Sequence, residues 1–129
     1  PKNDPWVAVK QGYEIQIAGN EVAKNQTGSV YEIQGPIANP VKIGEWNDYQ
    51  IIGANEKIAI ILNGKLINIF VTEKGRGDVS GYIGIQNHED GSPVQFRNIT
   101  VDSFGKGVSL MESLGRLGVP RRQTGRRGL

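Results

Sequence analysis

The chain has 129 residues, of which 37% are hydrophobic and 22% charged, and its formal net charge is +2. This length accommodates one small domain, and the aliphatic content is too high for a disordered chain. The absence of cysteine excludes a disulfide framework and a thiolate zinc site. No apolar run approaches the roughly 20 residues that a membrane-spanning helix needs.

Positive charge is concentrated at the C-terminal end of the chain. Residues 1–102 carry a net charge of −3, whereas residues 103–129 carry +5. We therefore interpret the chain as an acidic domain over residues 1–104, followed by a basic segment over residues 105–129. A flexible basic end is most often solvated, so we expect neither nucleic acid nor a membrane as a partner.

Short segments with strand character open the acidic domain. Residues 7–9 are apolar and are interpreted as the end of a strand. Strict alternation over residues 13–17 predicts a strand with one apolar and one polar face. A further strand is predicted over residues 29–34, because Gly35 and Pro36 follow as a stop.

The middle of the chain contains the clearest hairpin signal. Strands are predicted over residues 46–53, 57–62 and 65–72. Asn63 and Gly64 separate the last two, and this pair favours a two-residue turn because both of its positions need positive φ.

Two more strands are predicted over residues 81–87 and 94–102. In the second, the apolar residues change parity, which predicts a bulge near Arg97 and Asn98. Seven short strands separated by turns, with no helix between them, predict an all-β antiparallel sandwich or jelly roll. The first strand is weak, so we expect one or more N-terminal strands to be missing from this fold.

The basic segment has a different character. Ser109 and Glu112 have the spacing of a capping box, and apolar residues at helical spacing follow. These features predict a short amphipathic helix over residues 110–117. We expect its apolar stripe to pack on its own domain or on that of a neighbouring copy, and another chain or a membrane surface is the alternative. Residues 121–127 are basic and contain glycine, which favours a flexible tail.

Polar residues on the first strands are candidates for sugar recognition. Glu14 and Gln16 share one strand face, and a carboxylate beside an amide suits the donors and acceptors of sugar hydroxyls. The alternative is an exposed polar face of a half-buried strand. Trp46 opens a later strand, where its ring would either stack on a sugar or pack in the core.

The single histidine is the most available acid or base near neutral pH. His88 directly follows a predicted strand and precedes Glu89 and Asp90, so a solvated loop is the alternative. One histidine argues against a zinc site, and we expect no cofactor, although the oxygen-rich loop leaves Ca²⁺ open. No phosphate-binding loop or dinucleotide fingerprint is present in the sequence.

Six segments in this order and spacing resemble the 3-keto-disaccharide hydrolase family, over residues from about 5 to 104. They are residues 12–17 (GYEIQI), 27–31 (TGSVY), 44–49 (GEWNDY), 62–64 (LNG), 81–88 (GYIGIQNH) and 94–99 (VQFRNI). The resemblance implies a concanavalin A-like lectin/glucanase fold, in which two antiparallel sheets present a concave face to sugar. It also implies a bacterial protein that is secreted or periplasmic and acts on 3-keto-glycosides.

The resemblance further implies a mechanism and a set of site residues. A ketone at C3 acidifies the C2 proton, so that a base can remove it and the C1 substituent can leave. Mapped by motif position, Glu14 and His88 are the candidates for proton transfer. The candidate sugar-binding residues are Gln16, Tyr31, Trp46, Asn47, Gln86 and Asp90.

The chain departs from the family at its N-terminal end, where the family's opening segment is not recognisable. Open sheet edges invite pairing, so we expect a second copy or a partner chain to complete the sheet. A non-catalytic carbohydrate-binding or assembly module is therefore the alternative to an enzyme.

Overall fold

The computed structural model describes residues 6–19, 22–76, 80–86, 91 and 93–118. Within these ranges, the central feature is a three-stranded antiparallel sheet with the strand order β1-β2-β3. The elements in chain order are α1 (Trp6–Gln11), a 3₁₀ turn (Ala23–Asn25), β1 (Tyr49–Ala54), β2 (Lys57–Leu62), β3 (Lys65–Val71) and α2 (Leu110–Arg116). The described residues thus form a small all-β domain with few helical residues, as the sequence predicts.

The two hairpins of the sheet depend on residues with positive φ. Asn63 and Gly64 connect β2 to β3 with φ angles of 51° and 76°, which are the values that a type I′ turn requires. Asn55 and Glu56 connect β1 to β2 with φ angles of 49° and 56°. The prediction of a hairpin at Asn63-Gly64 is confirmed, and β2 has the predicted boundaries.

Both faces of the sheet are covered, which explains the continuous apolar run of β2. On one face, Ile60 and Leu62 pack with Val30 from the N-terminal part of the chain. On the opposite face, Ala59 and Ile61 pack against α2. Since alternate residues of a strand point to opposite faces, a strand buried on both sides has no polar face to show.

A buried amide fixes the N-terminal part of the chain to β3. Asn68 is 3% exposed, and its Nδ2 donates to the carbonyls of Gly28 (2.9 Å) and Gln34 (3.3 Å). In return, Gln34 Nε2 donates to Asn68 Oδ1 at 2.6 Å. A register shift between Ile60 and Ile61 accompanies this contact, as expected for a bulge that redirects neighbouring side chains.

Gly28 permits a close approach of two chain segments beside this amide. Its φ is 89°, and a Cβ at this position would overlap the side chain of Ile67. Only glycine therefore meets both the conformational and the spatial requirement at this position.

The prediction for the first segments is corrected in two ways. Residues 7–9 belong to the helix α1 instead of a strand end, because a three-residue apolar run is equally compatible with one helical turn. Residues 13–17 and 29–34 are not assigned as strands and meet at isolated bridges, Ile15 with Val30 and Val30 with Gln34.

The strands β1 and β3 are shorter than predicted. β1 begins at Tyr49 instead of Trp46, because the side chain of Asn47 bonds to the preceding loop and leaves no strand register there. β3 ends at Val71, one residue earlier than predicted.

The last two predicted strands are not formed within the described residues. Residues 80–86 and 93–102 have no strand assignment and are exposed, with Tyr82 at 95%. A ladder requires a hydrogen-bonded neighbour, and the described part of the chain supplies none for these segments. Asn98 has a φ of 54°, so the backbone departs from an extended conformation at the position where the sequence predicts a bulge. A bulge is defined by a paired strand, and none is present at this position in the described residues.

The helix α2 confirms the capping box. Ser109 Oγ accepts from the Glu112 N–H at 3.2 Å, and a Glu112 carboxylate oxygen accepts from the Ser109 N–H at 3.3 Å. Leu110 and Leu114 are buried against the sheet, as expected for the apolar stripe. No helix in the described ranges is long and apolar enough to cross a bilayer. The predicted flexible tail over residues 121–127 lies outside the described residues.

Candidate functional site

Two of the predicted site residues line one cleft of about 250 Å³. Glu14 and Tyr31 face it together with Arg76, a residue that the sequence analysis did not select. The other lining residues are Val9, Glu32 and Ile33. The cleft thus combines two carboxylates, a phenol and a guanidinium with two apolar side chains, and this mixture can accept and donate hydrogen bonds to a polar ring.

Backbone pairing fixes the position of Glu14. The carbonyl of Glu14 accepts from the Tyr31 N–H at 3.0 Å, and the Gln16 N–H donates to the Ser29 carbonyl at 3.0 Å. Between them, Ile15 packs against the core. Because side chains alternate along an extended segment, Glu14 is directed away from the core and lines the cleft.

Gln16 occupies a structural position next to a buried tyrosine. Its carbonyl accepts from the Tyr49 hydroxyl at 3.1 Å and from the Gly28 N–H at 3.0 Å. Burial raises the pKa of Tyr49 well above its ordinary value, although a backbone hydrogen bond at Gly28 partly opposes this effect. Gln16 itself does not line the cleft that contains Glu14.

Arg76 connects the loop after β3 with the backbone that precedes Glu14. Its Nε donates to the Gly12 carbonyl at 2.8 Å, and an Nη donates to the Val9 carbonyl at 3.4 Å. The guanidinium carbon lies 4.5 Å from the centroid of the Tyr13 ring. One feature of the sequence could have indicated Arg76 as a cleft residue, because it is a single arginine in a loop otherwise rich in glycine and charged residues.

The amide of Asn47 is fully used by hydrogen bonds to its own loop and to the adjacent hairpin. Its Oδ1 accepts from the Lys42 N–H (2.8 Å) and from Asn63 Nδ2 (2.9 Å). Its Nδ2 donates to the carbonyls of Lys42 (2.8 Å) and Glu45 (2.9 Å). Two acceptor sites and two donors are the whole capacity of an asparagine amide, so Asn47 shapes the loop beside the hairpin.

Trp46 is 49% exposed and is not part of either core cluster. The guanidinium carbon of Arg97 lies 3.9 Å from the centroid of its ring, in the geometry of a cation–π contact. Of the two alternatives that the sequence left open, core burial is therefore not observed. Trp46 does not line the cleft that contains Glu14 and Tyr31.

The remaining candidates are not brought to the cleft by the described residues. Gln86 is exposed at the end of the segment over residues 80–86. His88 and Asp90 lie outside the described residues, so the predicted pairing of Glu14 with His88 stays a prediction. Among the residues that are described, no three of His, Cys, Asp or Glu lie close enough together to hold a metal ion.

A second cavity of about 340 Å³ lies between β1 and residues 102–108. It contains none of the predicted site residues. Ser113, fully buried at its edge, donates its hydroxyl to the Ser109 carbonyl at 3.0 Å. The other polar residues of its wall are Asn55, Asp102 and Ser103. The predicted site residues Glu14 and Tyr31 lie at the other cleft.

The described residues thus form an antiparallel β-domain with a carboxylate-lined cleft. The sequence profile of the 3-keto-alpha-glucoside-1,2-lyase-like domain matches residues 2–102, and the chain belongs to this family. The family resemblance drawn from the six sequence segments is thereby confirmed.

One similar solved structure is that of a candidate glycosyl hydrolase from Parabacteroides distasonis ATCC 8503 at 2.00 Å resolution. It is 32% identical to this chain, with a TM-score of 0.48. The match covers 54% of this chain and 40% of that chain, so it spans less than half of that protein. No curated protein matches the chain.

Proposed function

We propose that this domain takes part in cleaving the glycosidic bond of a 3-keto-glycoside by proton abstraction at C2. Family membership over residues 2–102 supports the substrate class. The observation that carries the chemistry is the carboxylate of Glu14 in a cleft that also contains Tyr31 and Arg76. A 3-keto group lowers the pKa of the C2 proton, so a positioned carboxylate suffices as the base.

The proposed reaction has two balanced stages. In the first, Glu14 takes the C2 proton, the C1–O bond breaks as a C1=C2 double bond forms, and His88 gives a proton to the departing oxygen. In the second, His88 takes a proton from water as its hydroxyl adds to C1, and Glu14, after exchange of its proton with solvent, returns a proton to C2. The free 3-keto sugar is released and both residues regain their starting protonation. Hydrogen-bond donors near the C3 oxygen would stabilise the enolate charge that develops there as the C2 proton is removed, and again as the hydroxyl adds to C1.

The proposed sugar-binding residues fall into three groups. Tyr31 lines the cleft and is a direct hydrogen-bonding candidate, and Trp46 offers an exposed ring to the apolar face of a sugar. Gln16 and Asn47 support the surrounding backbone through the bonds described above. Gln86 and Asp90 stay proposed as sugar contacts.

Substitution of the two proton-transfer residues tests this function. The variants Glu14→Gln and His88→Ala are assayed for release of 3-keto-glucose from 3-keto-glycosides of different linkage. Each is expected to lower kcat/KM about 100-fold or more. Glu45→Gln is the matched control, because Glu45 is an exposed glutamate that does not line the cleft. Full activity of both variants would overturn the proposal.

A non-catalytic carbohydrate-binding or assembly module is the second candidate. The exposed Trp46 favours binding, and the exposed apolar residues of segment 80–86 favour pairing with a second copy. Glycan-array binding that Trp46→Ala abolishes would support the first form, and a dimeric mass by light scattering the second. Silence on the array together with a monomeric mass would reject both forms.

We also propose that this protein is bacterial and that it acts in the periplasm or outside the cell. The support for this location is the family resemblance. Detection of the protein in a periplasmic fraction would agree with it, and exclusive recovery from the cytoplasmic fraction would contradict it.

A further inference from the structure

We propose that Arg76 is a positioning residue that holds the backbone before Glu14 and thereby places the Glu14 carboxylate in the cleft. This inference rests on the proposed role of Glu14 as the base. Glu14 follows α1 and Arg76 follows β3, so the two are far apart in the sequence, yet both line the same cleft.

The contacts of Arg76 converge on the residues immediately before Glu14. Nε bonds to the carbonyl of Gly12, two residues before Glu14, and an Nη bonds to the carbonyl of Val9. Both bonds join a charged donor to a backbone acceptor, and such bonds are stronger than neutral ones. Arg76 therefore fixes the path of the chain from α1 into the segment that carries Glu14.

Tyr13 gives this arrangement a link to the core. Its ring contacts both the guanidinium of Arg76 and the ring of Phe70, the latter in a T-shaped arrangement at a centroid distance of 5.1 Å. The Tyr13 hydroxyl accepts from the Glu73 N–H at 2.8 Å, in the same loop as Arg76. Phe70 is a buried residue of β3. Tyr13 therefore connects the segment that carries Glu14 to the sheet.

The geometry requires a guanidinium and not simply a positive charge. A planar fork can bond to two carbonyls while its face rests on an aromatic ring, whereas an ammonium is a point donor. The carboxylate of Glu73 lies 3.8 Å from an Nη of Arg76 and forms a partly exposed ion pair with it. The Arg76 side chain is 25% exposed, so part of the guanidinium is shielded from water.

Steady-state kinetics of Arg76→Ala and Arg76→Lys test the catalytic consequence. Displacement of a reacting group by about 1 Å can cost about 100-fold in rate, so we expect Arg76→Ala to lower kcat by that order with little change in KM. Arg76→Lys is expected to recover about tenfold of the loss, because the ammonium keeps the charge over Tyr13 and one carbonyl bond. Arg116→Ala, on the exposed face of α2, is the control and should keep the wild-type kcat.

Hydrogen exchange of two backbone amides separates this inference from the proposed function. The Tyr31 N–H, which donates to Glu14, is expected to exchange about tenfold faster in Arg76→Ala. The Asn63 N–H, which donates to Asp48 in the hairpin loop, should be unchanged. Unchanged protection of Tyr31, or a lower melting temperature with an unchanged kcat, would overturn the inference. An inactive wild-type protein would instead reject the proposed function, and the exchange measurement would still decide whether Arg76 holds this backbone.

Discussion

The guanidinium carbon of Arg76 lies 4.5 Å from the centroid of the Tyr13 ring, on a tyrosine that also contacts buried Phe70. This pair joins the candidate cleft to the core of the sheet. The residue that follows Tyr13 is Glu14, the proposed base, so the packing of one aromatic ring sets the position of the reactive group.

Removal of the Tyr13 ring is expected to destabilise the domain. Tyr13→Ala loses the contacts with Phe70 and Arg76, and because Tyr13 is only half-buried, we expect a loss of about 2–3 kcal/mol in the free energy of unfolding. Tyr82→Ala is the control, since Tyr82 is 95% exposed and should change stability by less than about 0.5 kcal/mol. Urea unfolding of both variants measures the difference. Equal stabilities would contradict the account of Tyr13.

Loss of the Asn68 amide is expected to separate the N-terminal part of the chain from β3. Asn68→Ala removes the partners of the Gly28 and Gln34 carbonyls and leaves a gap at a position that is 3% exposed. We expect the free energy of unfolding to fall by about 2–4 kcal/mol. Asn39→Ala removes a single exposed hydrogen bond to Gln26 and should cost less than about 1 kcal/mol. A similar cost for both variants would show that burial of the amide is unimportant.

Two glycines of the sheet region provide a matched test of backbone strain. Gly64 has a φ of 76° and Gly53 has a negative or extended φ, and a Cβ would meet no atom within 4 Å at either position. Gly64→Ala is therefore expected to destabilise by about 1 kcal/mol through strain alone. Gly53→Ala is expected to be neutral or stabilising, because alanine restricts the unfolded chain more than glycine does. Thermal melting of the pair measures this contrast, and the reverse order would refute it.

Tyr49 is expected to make stability depend on pH in the alkaline range. Burial raises the pKa of its hydroxyl in the folded state above the ordinary value near 10, so the folded protein binds this proton more tightly than the unfolded chain. The stabilisation is thus complete below about pH 10 and is lost progressively as the pH rises further. Tyr49→Phe should lack this component of the pH dependence and should lose about 1 kcal/mol at neutral pH with the bond to Gln16. Free energies of unfolding measured between about pH 8 and about pH 11 that fall in parallel for both proteins would contradict the assignment.

The sequence predicts those features of the fold that depend on local chemistry. The Asn63-Gly64 turn and the Ser109–Glu112 capping box follow from residue types at fixed spacing, and both are present. Residues 81–87 and 94–102 have equally regular patterns, but a strand also needs a neighbour, and the pattern of one segment cannot supply it. Pairing is a property of the whole sheet, which explains why these predictions fail within the described residues.

The candidate site was predictable only in part for a related reason. Glu14 and Tyr31 belong to motifs that carry the family resemblance, and both line the cleft. Arg76 belongs to none of these motifs, and its contacts with Val9 and Gly12 span more than 60 positions of the sequence. Only the folded chain brings such residues together. Asn47 is the opposite case, since it belongs to one of these motifs and is therefore predicted to be a sugar-binding residue. Its amide is instead used by hydrogen bonds to its own loop and to Asn63.

Transfer of the C2 proton is the central claim of the proposed mechanism. Cleavage of a 3-keto-glucoside in D₂O, followed by analysis of the released sugar, tests it most directly. Free 3-keto-glucose incubated with Glu14→Gln corrects for exchange that occurs without the base. The account predicts that the product carries deuterium at C2, since water supplies this position after elimination, and that Glu14→Gln lowers its formation about 100-fold or more. A product that keeps its original C2 hydrogen, released at the same rate by wild type and Glu14→Gln, would contradict it.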